Sequence, residues 1–285
     1  MAVFYNQATL SYNGTVTTSN ITTGEILEVL SASKNATPET YTTGDNVVFV
    51  VSMVNSGSTA LNGITLTDDL GAYEVGEPAV TVVPLTYEEG TISYYVNGVL
   101  QPAPTVTSFS PLTVTGINIP ADGNAAIIYS ATANQYAPLG EGTSVTNTAV
   151  LSGAGITDVS ASEQITPENT PSLEISKSLS PVAVEENGAL TYTFVIRNYG
   201  SEPAARTDDV IFTDTFDPIL KNLTATFNGA TWTEGTNYTY NETTGEFTTL
   251  AGQITVPAAV FTQDTTTGVW STQPGESIIT ISGNI

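Results

Sequence analysis

The sequence predicts an all-β fold, with two tandem immunoglobulin-like β-sandwich domains plus an N-terminal donor strand, and three observations lead to it. The 285 residues are enough for two domains that each bury a core of their own. Charged residues make up only 12%, and Thr, Val, Ser, Ala and Gly are abundant, a composition that favours strands and turns over helices. The third observation is that the chain repeats itself over most of its length.

The repeat begins with two segments that each carry a lysine. S-K-N-A-T-P contains Lys34 and S-K-S-L-S-P contains Lys177, and each is followed by a strand pattern of apolar and polar residues. These strands end at Asn55 and Asn198, each 21 residues after its lysine. The next strands, I-T-L-T-D-D-L and V-I-F-T-D-T-F, both end in acidic residues.

The two copies continue to match further along the chain. An Asn-Gly pair, which favours a two-residue hairpin turn, stands at residues 97–98 and again at residues 228–229. G-N-A-A-I-I-Y-S-A-T-A in the first copy then matches G-E-S-I-I-T-I-S-G-N-I in the second. We therefore predict a first domain over residues 23–168 and a second domain over residues 169–285.

The final strand of the first copy has its counterpart at the other end of the sequence. V-T-N-T-A-V-L-S-G-A-G closes the first copy, and F-Y-N-Q-A-T-L-S-Y-N-G near the N-terminus is the corresponding segment. Asn6 lies 28 residues before Lys34, much as Asn147 lies 30 residues before Lys177. The N-terminal segment is therefore interpreted as a displaced final strand, and the second domain is predicted to be incomplete.

A sandwich that lacks its last strand exposes an apolar groove and unpaired backbone groups. Residues 1–22 are predicted to fill this groove by strand addition. Folding back within one molecule gives a closed monomer, whereas insertion into a neighbour gives a head-to-tail chain that grows unless a ring closes. In the alternative interpretation, residues 4–14 are an ordinary first strand of the first domain. The predicted donor positions are Phe4, Asn6, Ala8 and Leu10.

The Lys-bearing first strand, Y-T-F-V-I-R-N-Y-G, V-I-F-T-D and the closing V-T-N-T-A-V-L together resemble the bacterial surface repeat family DUF11. Two copies of this pattern cover nearly the whole chain. The resemblance implies immunoglobulin-type sandwiches on a cell or spore surface, in adhesins, envelope proteins or filaments. The opening N-Q-A-T-L-S-Y-N-G, without a signal peptide, looks like the start of such proteins in spore-forming anaerobes. We therefore expect an extracellular location, in a pilus-like fibre or spore appendage.

Three kinds of reactive side chain also match between the two copies, when the N-terminal strand is counted with the second domain. The chain has only three lysines, so a lysine that recurs at the same repeat position suggests a specific internal role. The matching sets are Lys34, Asp68 and Asn147 for the first domain, and Lys177, Asp214 and Asn6 for the second.

A lysine, an asparagine and a carboxylic acid are the groups that form spontaneous isopeptide bonds, as in Gram-positive pilins. The reaction needs a neutral amine and a protonated acid, and an apolar core favours both by lowering the pKa of lysine and raising that of aspartate. We predict one bond within each set, inside the first domain and between subunits for the second, with the aspartates assisting. In the alternative interpretation, the lysines discourage pairing on edge strands and the asparagines serve turns or bulges.

The charge and the missing residue types exclude several functions. A net charge of −23 repels nucleic acids and anionic membranes. The displaced N-terminal strand makes another copy of the chain the expected partner. The chain has no His and no Cys, which excludes most hydrolase mechanisms and nitrogen or sulfur ligands for zinc. We expect no cofactor, no metal and no enzyme activity beyond a single-turnover bond. The acidic clusters could hold calcium, but they are interpreted as solvated loops: Asp68-Asp69, and Asp208-Asp209 with Asp214 and Asp217. Four tyrosines could form a carbohydrate platform, but they are interpreted as strand residues: Tyr94, Tyr95, Tyr192 and Tyr238.

Three function classes therefore stand side by side. A self-assembling fibre subunit predicts polymers that need the N-terminal segment. A monomeric adhesin predicts a discrete monomer with a ligand, and a rigid spacer predicts a monomer that only extends the surface protein to which it belongs.

Overall fold

A computed structural model describes residues 2–285 of the chain, so Met1 of the predicted donor segment lies outside the described residues. The described chain is built from β-strands, and its single helical element is a short 3₁₀ helix at Arg206–Asp208. The predicted all-β fold of immunoglobulin-like sandwiches is confirmed. No helix among the described residues is long and apolar enough to cross a membrane.

The chain divides into two compact units. One contains the residues up to 74, 81–134 and 145–165, and the other contains residues 75–80, 135–144 and 166–285. We call them the first and the second domain.

The N-terminal segment, part of the first unit, forms a long hairpin rather than one strand, which we call the N-terminal hairpin (residues 2–26). Its strands are β1 (Ala2–Asn6), β2 (Thr9–Tyr12), β3 (Thr15–Thr18) and β4 (Thr22–Ile26). β1 pairs with β4 and β2 with β3, and Asn13 and Gly14 turn the chain at positive φ. The sequence pattern predicted the outgoing half of this hairpin, but the return half, β3 and β4, was missed because its Thr-rich sequence does not alternate in hydrophobicity.

The following fourteen strands run from Leu30 to Pro167. They are β5 (Leu30–Thr37), β6 (Thr40–Tyr41), β7 (Asn46–Asn55), β8 (Leu61–Asp68), β9 (Tyr73–Val75), β10 (Val80–Val82), β11 (Leu85–Tyr87), β12 (Ser93–Val96), β13 (Val99–Gln101), β14 (Thr105–Phe109), β15 (Leu112–Ile119), β16 (Gly123–Ala133), β17 (Val145–Ser152) and β18 (Val159–Pro167).

Two sheets make up the first domain. One has the strand order β13-β12-β16-β7-β5, with β11 also beside β16, and the other has the order β14-β15-β8-β17-β18-β6. Alternate residues of β7 and β8 are fully buried, as expected for strands that turn one face to a core. The β17–β18 hairpin fills the second sheet between β8 and the short strand β6, and its side chains Ala149 and Leu151 are completely buried.

The second domain contains ten strands and repeats the central part of this arrangement. They are β19 (Leu173–Ser180), β20 (Ala189–Asn198), β21 (Thr213–Thr215), β22 (Lys221–Phe227), β23 (Ala230–Trp232), β24 (Tyr238–Asn241), β25 (Glu246–Thr249), β26 (Val260–Gln263), β27 (Trp270–Gln273) and β28 (Gly275–Asn284). The main sheet has the order β19-β20-β28-β22-β23, and the facing sheet is β21-β25-β24.

Strand pairing relates the two domains residue by residue. Lys34 of β5 faces Val51 of β7, and Lys177 of β19 faces Phe194 of β20, so β5 corresponds to β19 and β7 to β20. By the same reasoning β16 corresponds to β28 and β8 to β21. The counterpart of the β17–β18 hairpin is missing from the sheets of the second domain within residues 2–285.

Candidate cross-linking sites and the open sheet edge

The Lys34 side chain lies in the core of the first domain. β5 alternates between exposed and buried residues, and this alternation turns Lys34 inward, although β5 is an edge strand. Its ammonium nitrogen lies 5.1 Å from the ring centre of Phe49 and 5.9 Å from that of Tyr129. The interpretation of Lys34 as a lysine that protects an exposed edge is therefore wrong for this position, because its side chain has no solvent exposure.

Asp68 stands at the end of β8, directly beside this lysine. Lys34 Nζ lies 2.7 Å from Asp68 Oδ2, and neither side chain is exposed to solvent. The backbone N–H of Leu70 donates to Asp68 Oδ1 at 3.1 Å, which fixes the carboxyl group at the end of the strand. Lys34 and Asp68, two of the three residues expected to act together in the first domain, are thus in direct contact.

Asn147 reaches this pair through Tyr129, a residue that the repeat analysis missed. The Tyr129 hydroxyl donates to Asp68 Oδ2 at 2.7 Å, and Asn147 Nδ2 donates to the same hydroxyl at 3.0 Å. Asn147 Oδ1 is buried without a hydrogen-bond partner. We call these four residues the buried site: Lys34, Asp68, Tyr129 and Asn147.

No repeat signal could have identified Tyr129. The position that corresponds to it on β28 is Ile281, and both strands read as ordinary alternating sequence. The Tyr129 ring stacks on Phe49, whose ring centre lies 5.4 Å away. This contact holds the hydroxyl within hydrogen-bond distance of Asp68.

Burial shifts the protonation of the site toward its neutral forms. The pKa of Lys34 is lowered because its charged form loses hydration, and the nearby Asp68 carboxylate opposes this only in part. The pKa of Asp68 is raised, again by burial first, against the opposing effect of Lys34. Both shifts favour a free amine beside a carboxylic acid, the two species that amide formation from Asn147 requires.

The second domain holds the same lysine–aspartate pair in an open setting, which we call the open site (Lys177 and Asp214). Lys177 Nζ lies 2.5 Å from Asp214 Oδ2, but 44% of the lysine side chain and 19% of the aspartate side chain are exposed. The ammonium nitrogen lies 4.7 Å from the ring centre of Tyr192 and 5.5 Å from that of Phe216, so one side of the pair is apolar and the other faces solvent.

The exposure of the open site comes from an unpaired sheet edge. β21 pairs with β25 on one side and forms the edge of its sheet on the other. In the first domain the corresponding strand β8 has partners on both sides, β15 and β17. Beside the unpaired edge of β21 lies a groove of about 330 Å³ whose lining includes Leu173, Ile175, Ile196, Ile211 and Phe212.

Apolar side chains of this groove are accessible to solvent. Leu173 is 38% exposed, Ile175 54% and Ile211 49%, whereas Leu30, the counterpart of Leu173, is 7% exposed under the complete sheet of the first domain. An apolar groove next to unpaired backbone groups has the geometry that accepts an added strand.

The N-terminal hairpin carries the sequence that fills this position in the first domain. Residues 6–11 read N-Q-A-T-L-S and residues 147–152 read N-T-A-V-L-S, so Asn, Ala, Leu and Ser recur with the same spacing. In β17 the first three are fully buried, whereas in the hairpin Asn6 and Ala8 are exposed and Leu10 is 66% exposed.

The facing residue pair just before the shared segment has a similar combined side-chain volume in the two hairpins. Val145 faces Ile165 across β17 and β18, and both are buried. At the matching place Phe4 faces Gly24, and the Phe4 ring lies over the glycine where a Cβ atom would collide with it. One large residue beside glycine thus replaces two of intermediate size, and Phe4 is 54% exposed.

Asn6, which is predicted to bond to Lys177 of another copy, lies at the end of β1. Asn6 is held in the N-terminal hairpin, where its backbone oxygen accepts a hydrogen bond from Thr22 Oγ1 at 3.2 Å.

No group of three acidic side chains suited to a metal ion occurs among residues 2–285. At Asp208 the carboxylate accepts a hydrogen bond from the backbone of Ala205 at 2.7 Å.

No protein-family model matches the sequence, and no curated protein matches it either. Among solved structures, the pilus backbone protein RrgB of Streptococcus pneumoniae is 13% identical, with a TM-score of 0.34 over 86% of this chain, which spans 55% of that protein. A C-terminal fragment of the major pilin GBS80 of Streptococcus agalactiae is 14% identical, with a TM-score of 0.35 and coverage of 79% and 78%. The major pilin subunit BcpA of Bacillus cereus is 10% identical, with a TM-score of 0.34 and coverage of 96% and 73%. Likeness at this level does not extend to function.

Proposed function

We propose that the chain is a self-assembling structural subunit of a bacterial surface fibre or spore appendage, and not an enzyme that turns over a substrate. Subunits join head to tail when the N-terminal hairpin of one copy adds to the unpaired edge of β21 in the next. The observation that carries the proposal is the Asn-x-Ala-x-Leu-Ser segment. It is buried beside β8 in the first domain, and its second occurrence is exposed while the matching edge of β21 is free.

The first domain supplies the expected register of the inserted hairpin. Ala149 faces Asp68 and Leu151 faces Leu66. In the same register Ala8 of the incoming hairpin faces Asp214, and Leu10 faces Phe212 beside the exposed groove. Asn6 then takes the place of Asn147, next to the open site.

Insertion of a whole hairpin, rather than one strand, matches the way the first domain is completed. β17 pairs with β8, and β18 covers the other side of β17. In the same arrangement the return half of the N-terminal hairpin covers the inserted half. The contact joins unlike surfaces of two copies and is therefore heterologous, which produces an open filament unless the rotation closes a ring.

Isopeptide bonds would make such a fibre covalent. We propose a bond between Lys34 and Asn147 inside each subunit, with Asp68 as the assisting acid. Insertion of the hairpin would bury Lys177 and Asp214 as the first domain buries their counterparts, and Asn6 would complete that second set. The bond forms once per subunit and involves no turnover. The resemblance to DUF11 repeats supports the proposed bacterial surface location, and the acidic surface disfavours nucleic acids and membranes as partners.

Polymerisation of the purified chain tests this proposal. The full chain is expected to form filaments in electron micrographs and a ladder after boiling in SDS. A chain without residues 2–26 should stay monomeric, and Leu10→Asp should weaken assembly because a charge would enter the groove. Lys177→Ala and Asn6→Ala should each remove the ladder and leave filaments that SDS dissociates.

Mixing the chain that lacks residues 2–26 with the full chain provides a direct control. It keeps the free edge of β21 and should shorten filaments of the full chain by accepting one hairpin and donating none. A full chain that remains monomeric at high concentration would overturn the fibre proposal, and it would favour a hairpin that folds back within one molecule, or an adhesin or spacer.

A further inference from the structure

Tyr129 connects the acid and the amide of the buried site. Its hydroxyl donates to Asp68 Oδ2 at 2.7 Å and accepts from Asn147 Nδ2 at 3.0 Å. Asn147 Nδ2 is the atom that must leave as ammonia when the lysine forms an amide bond. The Tyr129 hydroxyl therefore touches a reacting atom and is the group that links it to the carboxyl of Asp68.

We infer that Tyr129 is a catalytic residue of cross-linking in the first domain, where it passes a proton from Asp68 to the departing nitrogen of Asn147. This inference rests on the proposed isopeptide bond between Lys34 and Asn147. Tyr129 is fully buried, and its ring is fixed by stacking on Phe49, so the hydroxyl holds its position while the bond changes occur.

The proton balance of the step is complete without any external reagent. The neutral amine of Lys34 attacks Cγ of Asn147, and a new N–C bond forms. When Asp68 is protonated it donates to the Tyr129 hydroxyl, which reverses the hydrogen bond of the resting site. Tyr129 then gives its own proton to Nδ2 and takes the one from Asp68 as the Cγ–Nδ2 bond breaks and ammonia leaves. The surplus proton on the Lys34 nitrogen passes to Asp68 Oδ2, 2.7 Å away, so that the acid and the phenol return to their starting states.

The Tyr129 hydroxyl provides a proton for the leaving nitrogen, which lysine, asparagine and aspartate alone would not supply in this arrangement. Amide nitrogen is a poor leaving group unless it is protonated, and general acid catalysis of such a transfer contributes on the order of 100-fold or more. No direct hydrogen bond joins Asp68 to Asn147 in the buried site. Without Tyr129 the acid would lack a path to the leaving nitrogen.

The open site lacks this residue, since Ile281 on β28 occupies the position that corresponds to Tyr129. Ile281 faces Tyr192 across the ladder, as Tyr129 faces Phe49. A bond between Lys177 and Asn6 of another copy must therefore form without the phenol. We expect it to form more slowly than the bond in the first domain.

The test is the rate of ammonia loss in the full chain, measured as intact mass and located by peptide mapping, for newly synthesised protein. Tyr129→Phe keeps the ring and its stacking and removes only the hydroxyl. It should slow bond formation in the first domain on the order of 100-fold. Ile281→Tyr places a phenol at the open site and should speed the Lys177–Asn6 bond in assembled fibres without touching the first domain.

The outcomes separate this inference from the proposed function. If the first-domain bond forms in the parent chain and equally fast in Tyr129→Phe, the role of Tyr129 is overturned while cross-linking stands. If the parent chain keeps its full mass, both the bond and the relay are overturned, whereas the fibre itself is judged by microscopy. Slower bond formation in the first domain of Tyr129→Phe, together with faster formation of the Lys177–Asn6 bond in Ile281→Tyr, supports the relay. A tyrosine with only a structural role would not accelerate bond formation at the open site.

Discussion

The two domains place the same pair of charged residues in opposite environments. Lys34 and Asp68 have no exposed side-chain surface, whereas Lys177 and Asp214 are 44% and 19% exposed at a similar separation. The strands that carry the lysines and aspartates correspond, so the strands themselves do not explain the difference. It comes from one hairpin, β17–β18, which covers the first pair and has no counterpart in the sheets of the second domain within residues 2–285.

Burial, and not the identity of the two residues, therefore distinguishes the two lysine–aspartate pairs. A buried pair loses hydration, and its shifted pKa values favour neutral amine and neutral acid. An exposed pair keeps its hydration and is worth little in stability. A hairpin from a second copy that completes the open site would therefore bring it into its reactive state only on assembly, so that bond formation follows docking.

The largest expected effect is on the stability of the first domain. Asp68→Asn leaves the Lys34 amine buried without its partner and should cost about 3–5 kcal/mol of unfolding free energy. Asp214→Asn, its matched control, should cost at most about 1 kcal/mol because its partner Lys177 stays hydrated. Both are made in an Asn147→Ala background, so that no internal cross-link contributes.

Urea unfolding followed by circular dichroism measures these changes, and tryptophan fluorescence assigns them. Both tryptophans, Trp232 and Trp270, lie in the second domain, so a change confined to the first domain leaves the fluorescence transition in place. Equal losses for the two aspartate variants would mean that the two pairs do not differ in the way their exposure indicates.

A smaller and more local contrast is expected at the shared leucine. Leu151→Ala removes a fully buried side chain and should destabilise the first domain by about 2–5 kcal/mol. Leu10→Ala should change the stability of the monomer by no more than about 0.5 kcal/mol, since Leu10 is 66% exposed. The same variant should raise the concentration needed for polymerisation, which light scattering measures. A Leu10→Ala chain that polymerises like the parent would count against the register in which Leu10 faces Phe212.

The smallest effect is a difference in chemical labelling that leaves stability unchanged. In the monomer an amine-reactive ester should modify Lys177 and the exposed Lys221 but not Lys34, whose side chain is inaccessible. Assembly should protect Lys177 and leave Lys221 reactive, as mass spectrometry of peptides would show. Continued labelling of Lys177 in fibres would place the hairpin elsewhere.

Much of the fold could be predicted from the sequence, because apolar and polar residues alternate along most strands and the pattern occurs in both copies of the repeat. The recurrence of Lys34 and Lys177 at the same repeat position also indicated an internal role for these lysines. The return half of the N-terminal hairpin was missed, since its threonines carry no clear alternation and its place is set by pairing with β1 and β2.

What the sequence by itself determined is the set of recurring residues: the lysines, the aspartates and the asparagines at matching repeat positions. Only the tertiary structure decided which of these residues are in contact, and whether they are buried or exposed to solvent. Tyr129 joins Asp68 to Asn147 from a strand far away in sequence, and no local pattern encodes such a contact. The different exposure of Lys34 and Lys177 likewise depends on whether a distant hairpin covers them, because hydration is a property of the whole packed surface and not of the residues nearby in the chain.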